Sequence, residues 1–355
     1  MRRLLVVVSV YYLIFGYAQL AAAWLVSPAW HPGTSELLVL LVGPAAGWLV
    51  HQVRRNALTR WLLRAVYLWV GLGFLLLCVV VPVHLLHLIG LPAGSAALLL
   101  AALYGPLAVW SIVNAHRIIV RKVELTSPKL DRPVRLAQVS DIHVGSRGPG
   151  FLPRIVRLVN ALEPDAILVT GDLIDLMGLP ADATDPIGAL NAPTFFVIGN
   201  HERYIGSDAV CARLEALGVT VLRNAHADRG ALRFIGIDDA ETRDQITREL
   251  GRIGAGDHCP SAFTILMYHR PDGVEDAARA GIDLMLCGHT HNGQITPFNW
   301  IVKRIFPRVA GRFDIDGMVL HVSPGTGTWG PTMRLGSANE ITLLELSPSP
   351  ARAPE

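Results

Sequence analysis

The chain has 355 residues, which is long enough for two or more domains. Its formal net charge of +2 is close to neutral, so the overall charge gives no indication of nucleic-acid binding. Hydrophobic residues make up 51% of the chain and charged residues only 17%, which is too apolar for a wholly soluble protein. Almost all of the excess lies in residues 1–116, and we predict that this part is a membrane domain.

Four apolar runs of this N-terminal part are predicted to span the membrane as helices. A span has to cross a hydrocarbon layer of ~30 Å. The predicted spans are residues 4–26, 37–50, 65–89 and 96–113. A cleaved signal peptide is the alternative for the first run, and buried core helices of a soluble domain are the alternative for the shorter ones.

Basic residues in the connections predict the orientation of the spans. Arg2 and Arg3 precede the first span, four arginines lie between the second and third, and further basic residues follow the fourth. The other two connections contain no lysine or arginine. By the positive-inside rule, both ends of the membrane part face the cytoplasm. We therefore predict a multi-pass protein of the inner (plasma) membrane with a cytoplasmic C-terminal domain.

The C-terminal part has the pattern of an α/β domain. Short apolar runs predict strands at 134–139, 166–170, 194–198, 232–237, 262–268, 282–286, 318–322 and 341–346. Helical patterns lie at 152–162, 208–217, 242–253 and 273–280. Strands separated by helices predict mixed or parallel sheets with helices outside. We assign residues 117–346 to this domain and interpret residues 347–355, with three prolines, as a disordered tail.

Five polar clusters directly follow five of the predicted strands. They are Asp141 with His143, Asp172, Asn200 with His201 and Glu202, His269, and the pair His289 and His291. Open α/β sheets bind their ligands at the carboxyl ends of strands, so all five clusters can converge on one rim. A single Asp or Asn at such a position is better interpreted as a turn or cap residue. The five clusters together predict a metal site.

The donor types indicate which metals this site would bind. Carboxylate, imidazole and amide donors without thiolate suit Mn²⁺, Fe or Zn²⁺. The four cysteines form no Cys-x-x-Cys pair and are scattered at Cys78, Cys211, Cys259 and Cys287. There are enough ligands for two divalent ions, and two ions ~3.5–4 Å apart are a recurrent arrangement for hydrolysing phosphate esters. In such a site one ion holds the attacking hydroxide, and both neutralise charge on the phosphoryl group.

The same clusters resemble a known family. Asp-x-His, Gly-Asp, Gly-Asn-His-Glu, a single His and Gly-His-x-His occur in this order within residues 134–346. This order is similar to that of the calcineurin-like metallophosphoesterase superfamily. Residues 171–175, 288–294 and 322–342 also resemble a membrane-associated bacterial subgroup, the YaeI/YkuE-like phosphodiesterases.

The resemblance implies a fold and a role for each polar residue. The fold would be a sandwich of two mixed β-sheets flanked by helices. One metal would be bound by Asp141, His143 and His291, the other by Asn200, His269 and His289, with Asp172 bridging the two. His201 would contact the phosphate and act as general acid for the leaving group.

Two residues depart from the patterns of the relatives. Asn292 stands where this subgroup often has Gly, which puts substrate contacts rather than metal binding in doubt. Glu202 stands where the wider superfamily often has Asp, and the sequence gives this difference no evident meaning.

The segment after the histidine pair suggests the substrate. Residues 298–308 interleave aromatic and aliphatic side chains with three basic ones. Such a segment is typical of an interfacial element that binds anionic lipid, and an ordinary amphipathic helix packed on the domain is the alternative. The interfacial interpretation favours a lipid-linked phosphodiester or pyrophosphate. By analogy with the superfamily, UDP-diacylglucosamine in lipid A synthesis is a candidate substrate.

Two other functions are open at this point. The first is a catalytically inactive metal-binding sensor or scaffold, against which the presence of every predicted ligand and of His201 argues. The second is a membrane transporter with a regulatory C-terminal domain, but the predicted spans contain no charged residue that would mark an ion pathway.

Overall fold

The computed structural model describes residues 2–240, 242, 244–253 and 261–349, with side chains from residue 6 onwards. Cys259 and residues 350–355 of the predicted tail lie outside this part. The chain forms two compact units. The first comprises Met1–His116 together with Gly330–Gly336, and the second comprises Arg117–Trp329 and Ser337–Glu355.

The first unit is built mainly from helices. They are α1 Arg2–Tyr11, α2 Ala18–Val26, α3 Thr34–Val53, α4 Ala57–Leu88 and α5 Ala93–Asn114, with a π-helical stretch Tyr12–Tyr17 joining α1 to α2. By length and composition, four stretches can cross a membrane: Val6–Val26, Thr34–Val53, Ala57–Leu88 and Ala93–Asn114. Four apolar helices therefore precede the α/β part, as predicted.

Helix α4 begins eight residues before the predicted third span because its start is capped. The side chain of Asn56 accepts a hydrogen bond from the backbone N–H of Thr59, and the Thr59 hydroxyl accepts one from the backbone N–H of Asn56. This reciprocal pair satisfies N–H groups that a helix start leaves free. The cap adds a polar turn with Arg60 and Arg64 to the apolar stretch.

The segment Gly330–Gly336 belongs to this helical unit although it is remote in sequence. The backbone N–H of Arg334 donates to the carbonyl of Ser111 at 2.8 Å, and the side-chain amide of Asn114 donates to the carbonyl of Arg334 at 3.1 Å. A Cβ on Gly71 would lie 2.6 Å from both Pro331 and Met333. The predicted domain 117–346 thus contains a segment that packs with the helices.

The second unit contains two six-stranded mixed sheets. Their strand orders are β1-β12-β2-β3-β4-β5 and β10-β11-β9-β8-β7-β6. The strands are β1 Ile118–Ser127, β2 Val134–Val139, β3 Ala166–Thr170, β4 Thr194–Val197, β5 Thr220–Val221, β6 Ala225–Arg229, β7 Leu232–Ile237, β8 Phe263–Tyr268, β9 Leu284–Cys287, β10 Gly311–Ile315, β11 Met318–Val322 and β12 Asn339–Pro348. The helices are α6 Phe151–Asn160, α7 Asn200–Ile205, α8 Ser207–Ala216, α9 Gln245–Ile253, α10 Val274–Arg279 and α11 Phe298–Ile305.

Alternation along the strands explains the layers of this unit. In β2 and β3, Leu136 and Leu168 face the second sheet, where they join a cluster with Phe234. Their neighbours Ala137 and Ile167 face the other way and pack with residues of α6 and α8. Helices α9 and α10 cover the outer face of the second sheet in the same manner. Because successive strand residues point to opposite faces, buried strands of this kind are apolar throughout. The two mixed sheets flanked by helices confirm the predicted fold class.

Two strands at the ends of the α/β domain differ from the prediction. Strand β1 was not predicted, yet it pairs in parallel with β12 from Ile118 to Ser127. This pairing extends β12 to Pro348, and the N–H of Ser349 donates to the carbonyl of Ser127 at 3.1 Å. The first three residues of the predicted disordered tail are therefore held by backbone hydrogen bonds.

Candidate metal centre

The polar clusters lie at the carboxyl ends of β2, β3, β4, β8 and β9. Strands β2, β3 and β4 run parallel in the first sheet, as do β8 and β9 in the second. Loops from the two sheets meet directly, because the N–H of His289 donates to the carboxylate of Asp141 at 3.1 Å. The N–H of Gly288 donates to the carbonyl of His269 at 2.9 Å. These contacts bring all eight predicted site residues into one cluster.

Asp141, His143 and His291 form the first group of potential ligands. The Nε2 atoms of His143 and His291 are 3.0 Å apart. An oxygen of Asp141 lies 3.3 Å from Nε2 of His291 and 4.0 Å from Nε2 of His143. All three residues are buried. Three potential donor atoms thus lie close together.

Asp172, His269 and His289 form the second group, with Asn200 beside them. Nε2 of His269 lies 3.2 Å from an Asp172 oxygen, from Oδ1 of Asn200 and from Nδ1 of His289. The other ring nitrogen of His269 donates to the carbonyl of Thr170 at 2.8 Å, which orients the imidazole. Such a second hydrogen bond is the usual support of a metal-binding histidine.

Asp172 connects the two groups. It also lies within ligand distance of His143 and His201, so it takes part in two clusters of potential ligands. Nε2 of His201 is 4.0 Å from an Asp172 oxygen, and the N–H of His201 donates to the other oxygen at 2.9 Å. The imidazole of His201 is partly exposed, whereas Asp172 is buried. Asp172 therefore lies between the two groups, and His201 is more accessible than Asp172.

The pKa directions suit a site for cations. Burial and the neighbouring His291 lower the pKa of His143, and burial with the charge of His269 lowers that of His289 to about 3. Burial alone would raise the pKa of Asp172, but the adjacent histidines lower it below its ordinary range. Burial lowers the pKa of His269, yet Asp172 raises it to about 10, so this imidazole has to give up a proton before it can bind a metal. Ionised carboxylates and neutral imidazoles are the forms that bind divalent metals.

The backbone around these donors is strained in a consistent way. Asp141, His143, Asp172, His289 and His291 all have positive φ, between 50° and 70°. A non-glycine residue in this region costs about 1–2 kcal/mol, and such residues persist where the surrounding structure holds them at functional sites. Two glycines let the backbone come close to the carboxylates. A Cβ on Gly199 would overlap the carboxylate of Asp172, and a Cβ on Gly288 would overlap that of Asp141. The donor set and its backbone together fit two divalent ions.

Glu202 supports the site in a way that the sequence did not reveal. Its buried carboxylate accepts the backbone N–H groups of Gly199, Asp172 and Ile174 at 2.8, 2.9 and 3.0 Å. It thereby joins the loops after β3 and β4. Burial and the nearby Asp172 raise the pKa of Glu202 to about 7.

Asp175 is a second supporting residue that sequence reasoning missed. One oxygen lies 3.6 Å from Nδ1 of His143, and the carboxylate accepts hydrogen bonds from the N–H and the hydroxyl of Ser146. Burial raises the pKa of Asp175 to about 7. It lies behind a potential ligand, and its hydrogen bonds hold the loop that contains Ser146. The motif Gly171 to Asp175 was the only signal for it in the sequence.

Comparisons with known proteins agree with this geometry. The profile of a family described as calcineurin-like phosphoesterase matches residues 134–293. An uncharacterized metallophosphoesterase of Campylobacter jejuni is 34% identical over 237 residues, which cover 64% of this chain and 63% of the relative. A bovine transmembrane protein with metallophosphoesterase domain is 36% identical over 241 residues, covering 61% of this chain and 54% of the relative.

Phosphodiesterase YaeI of Escherichia coli is a further relative. It is 28% identical over 241 residues, covering 60% of this chain and 82% of the relative. The chain spans slightly less than two thirds of the length of the first curated relatives it matches.

Proposed function

We propose that this membrane-anchored chain, whose residues 134–293 match the calcineurin-like phosphoesterase family, hydrolyses phosphodiester or pyrophosphate bonds at a two-metal centre. The observation that carries the proposal is the convergence of two groups of potential ligands, which a third group containing His143 and Asp172 connects. A single metal ion would use only one of the two groups as ligands.

In this proposal each ion has its own set of residues. Asp172 belongs to both sets, one completed by Asp141, His143 and His291, the other by Asn200, His269 and His289. When bound, the ions would neutralise the phosphoryl oxygens and lower the pKa of the attacking water. Mn²⁺ is the proposed metal, with Fe or Zn²⁺ as alternatives, because the donors are oxygen and imidazole nitrogen.

His201 is proposed as the general acid that gives a proton to the leaving group. Its backbone N–H donates to Asp172, and its imidazole is 16% exposed. A proton donor has to lie within hydrogen-bond reach of the departing oxygen. His201 can therefore meet a substrate from the open side while the buried residues hold the metals.

We further propose that the substrate is linked to lipid. Helix α11 exposes Trp300, Ile301 and Ile305, and carries Lys303 and Arg304 in its last turn. Among its residues Val302 is buried, so most of its apolar side chains are not covered by the described residues. This pattern favours the interfacial interpretation of the segment over a helix packed on the domain. UDP-diacylglucosamine in lipid A synthesis fits such a substrate as an example.

The proposed location follows from the helices and the charges around them. The four apolar stretches support a multi-pass membrane protein, and the inner (plasma) membrane is its proposed location. The basic connections favour a cytoplasmic catalytic domain by the positive-inside rule.

The test uses the full-length protein purified in detergent. Metal content is measured first, followed by hydrolysis of bis-p-nitrophenyl phosphate and p-nitrophenyl phosphate with Mn²⁺ or with chelator. We expect metal-dependent diester cleavage that Asp172→Ala abolishes and the exposed-loop control Asp182→Ala retains. Two bound metals without any turnover would instead support a sensor or scaffold. A folded protein that binds no metal would contradict the proposal.

A further inference from the structure

Two exposed aromatic residues flank the proposed general acid. The ring centroid of Tyr204 lies 5.9 Å from that of His201, and the ring centroid of Trp329 lies 6.1 Å from it. Tyr204 is 60% exposed and Trp329 is 55% exposed. A general acid has to stand next to the group that departs. Whatever lies beside His201 on its open side is therefore in a position to contact the leaving group.

Trp329 is held in place by Gln294. The side-chain amide of Gln294 donates to the carbonyl of Trp329 and accepts from its N–H, both at 3.0 Å. The carbonyl of Gln294 accepts a hydrogen bond from the hydroxyl of Ser337 at 2.8 Å. Gln294 lies three residues after His291 in the loop that supplies potential ligands. The backbone of Trp329 is thus bound to the loop that supplies potential ligands, although about half of the residue's surface is exposed.

We propose that Trp329 and Tyr204 form a binding site for the leaving group, and that this group carries a planar ring, such as a nucleobase. The inference rests on the proposed phosphoesterase function. Exposed aromatic faces bind planar rings by stacking, and they do so with little dependence on the identity of the ring. Gln294 acts as a positioning residue, because its hydrogen bonds go to the backbone of Trp329 and not to the substrate.

The test measures binding with phosphonates that are not hydrolysed. Benzylphosphonate presents a ring, hexylphosphonate presents a flexible chain, and methylphosphonate reports on the metal centre alone. Dissociation constants are determined by calorimetry on the metal-loaded full-length protein in detergent. We expect the parent to prefer benzylphosphonate over both other ligands.

The variants separate a ring site from a structural effect. Trp329→Ala should weaken benzylphosphonate about tenfold, since stacking on an aromatic side chain contributes about 1–3 kcal/mol. Trp329→Ala should leave the affinity for methylphosphonate unchanged, and Trp329→Phe should restore most of the preference for benzylphosphonate. Gln294→Leu should reduce the ratio of benzyl to methyl affinity by an intermediate factor. The control is Trp48→Ala, which removes a similarly exposed tryptophan of the helical unit.

Four results would overturn the inference. If Trp329→Ala lost affinity equally for all three ligands, the substitution would disturb the metal centre. An equal loss of the benzyl and hexyl compounds would indicate a site for an apolar chain. Unchanged binding in Trp329→Ala and in the double variant with Tyr204→Ala would place the leaving group elsewhere. If the metal-loaded parent bound none of the phosphonates, the proposed function would fail together with the inference.

Discussion

Replacing Glu202 tests how the site is held together. Glu202→Ala leaves the N–H groups of Gly199, Asp172 and Ile174 without their acceptor inside the domain. Each buried N–H that loses its partner costs about 1–3 kcal/mol. Burial of the carboxyl group, seen in its raised pKa, offsets part of this cost, so we take the low end of the range for all three. The free energy of unfolding should fall by about 3 kcal/mol, which lowers the melting temperature by roughly 6–12 °C in a domain of this size.

The assay is thermal unfolding of the full-length protein, with metal content measured on the same samples. Glu202→Gln keeps one oxygen acceptor but turns an N–H₂ group towards a backbone N–H. We therefore expect its free energy of unfolding to lie between those of the parent and Glu202→Ala. Glu215→Ala removes an exposed glutamate of α8 and should change stability by less than about 0.5 kcal/mol. If Glu202→Ala melted within about 2 °C of the parent and bound as much metal, the three hydrogen bonds would not hold the loops.

Three further predictions concern other parts of the molecule. Asp175→Asn should weaken metal binding about 10–100-fold with little change in melting temperature, because it alters a charged neighbour of His143; a metal titration measures this, and unchanged affinity would contradict the role. Gly71→Leu should destabilise the protein by about 1–3 kcal/mol by clashing with Pro331 and Met333, whereas Gly105→Ala, which meets open space, should not; thermal unfolding distinguishes them. Burial raises the pKa of the Cys211 and Cys287 thiols, so a thiol reagent at pH 8 should modify them slowly in the folded protein and quickly after denaturation; rapid labelling of the folded protein would refute this.

The sequence predicted the strands that are buried on both faces. Strands β2, β3, β7 and β11 match the predicted bounds to the residue, because continuous apolar runs between turns mark such strands. Strand β1 was not predicted because exposed Arg121 and Lys122 interrupt its apolar residues and because it closely follows the fourth span. The short or half-exposed edge strands β5, β6 and β10 carry the same weak signal.

The candidate site was predictable for its donors but not for their supports. Metal donors are recognised by residue type and by their place after strands, as for Asp141 and His269. Glu202, Asp175 and Gln294 act through hydrogen bonds to groups from other loops, and no local spacing marks such partners. The roles of the donors stay predictions until metal binding is measured.

Because the segment Gly330–Gly336 packs with the helices, the helices cannot be removed or exchanged without affecting this segment. A truncated chain that lacked the helices would leave the N–H of Arg334 without Ser111, and Pro331 and Met333 without the surface around Gly71. Replacing the helices with an unrelated anchor should therefore require compensating changes within this segment. Natural exchange of the N-terminal part should be constrained in the same way, so substitutions at Gly71 and Met333 are expected to occur together.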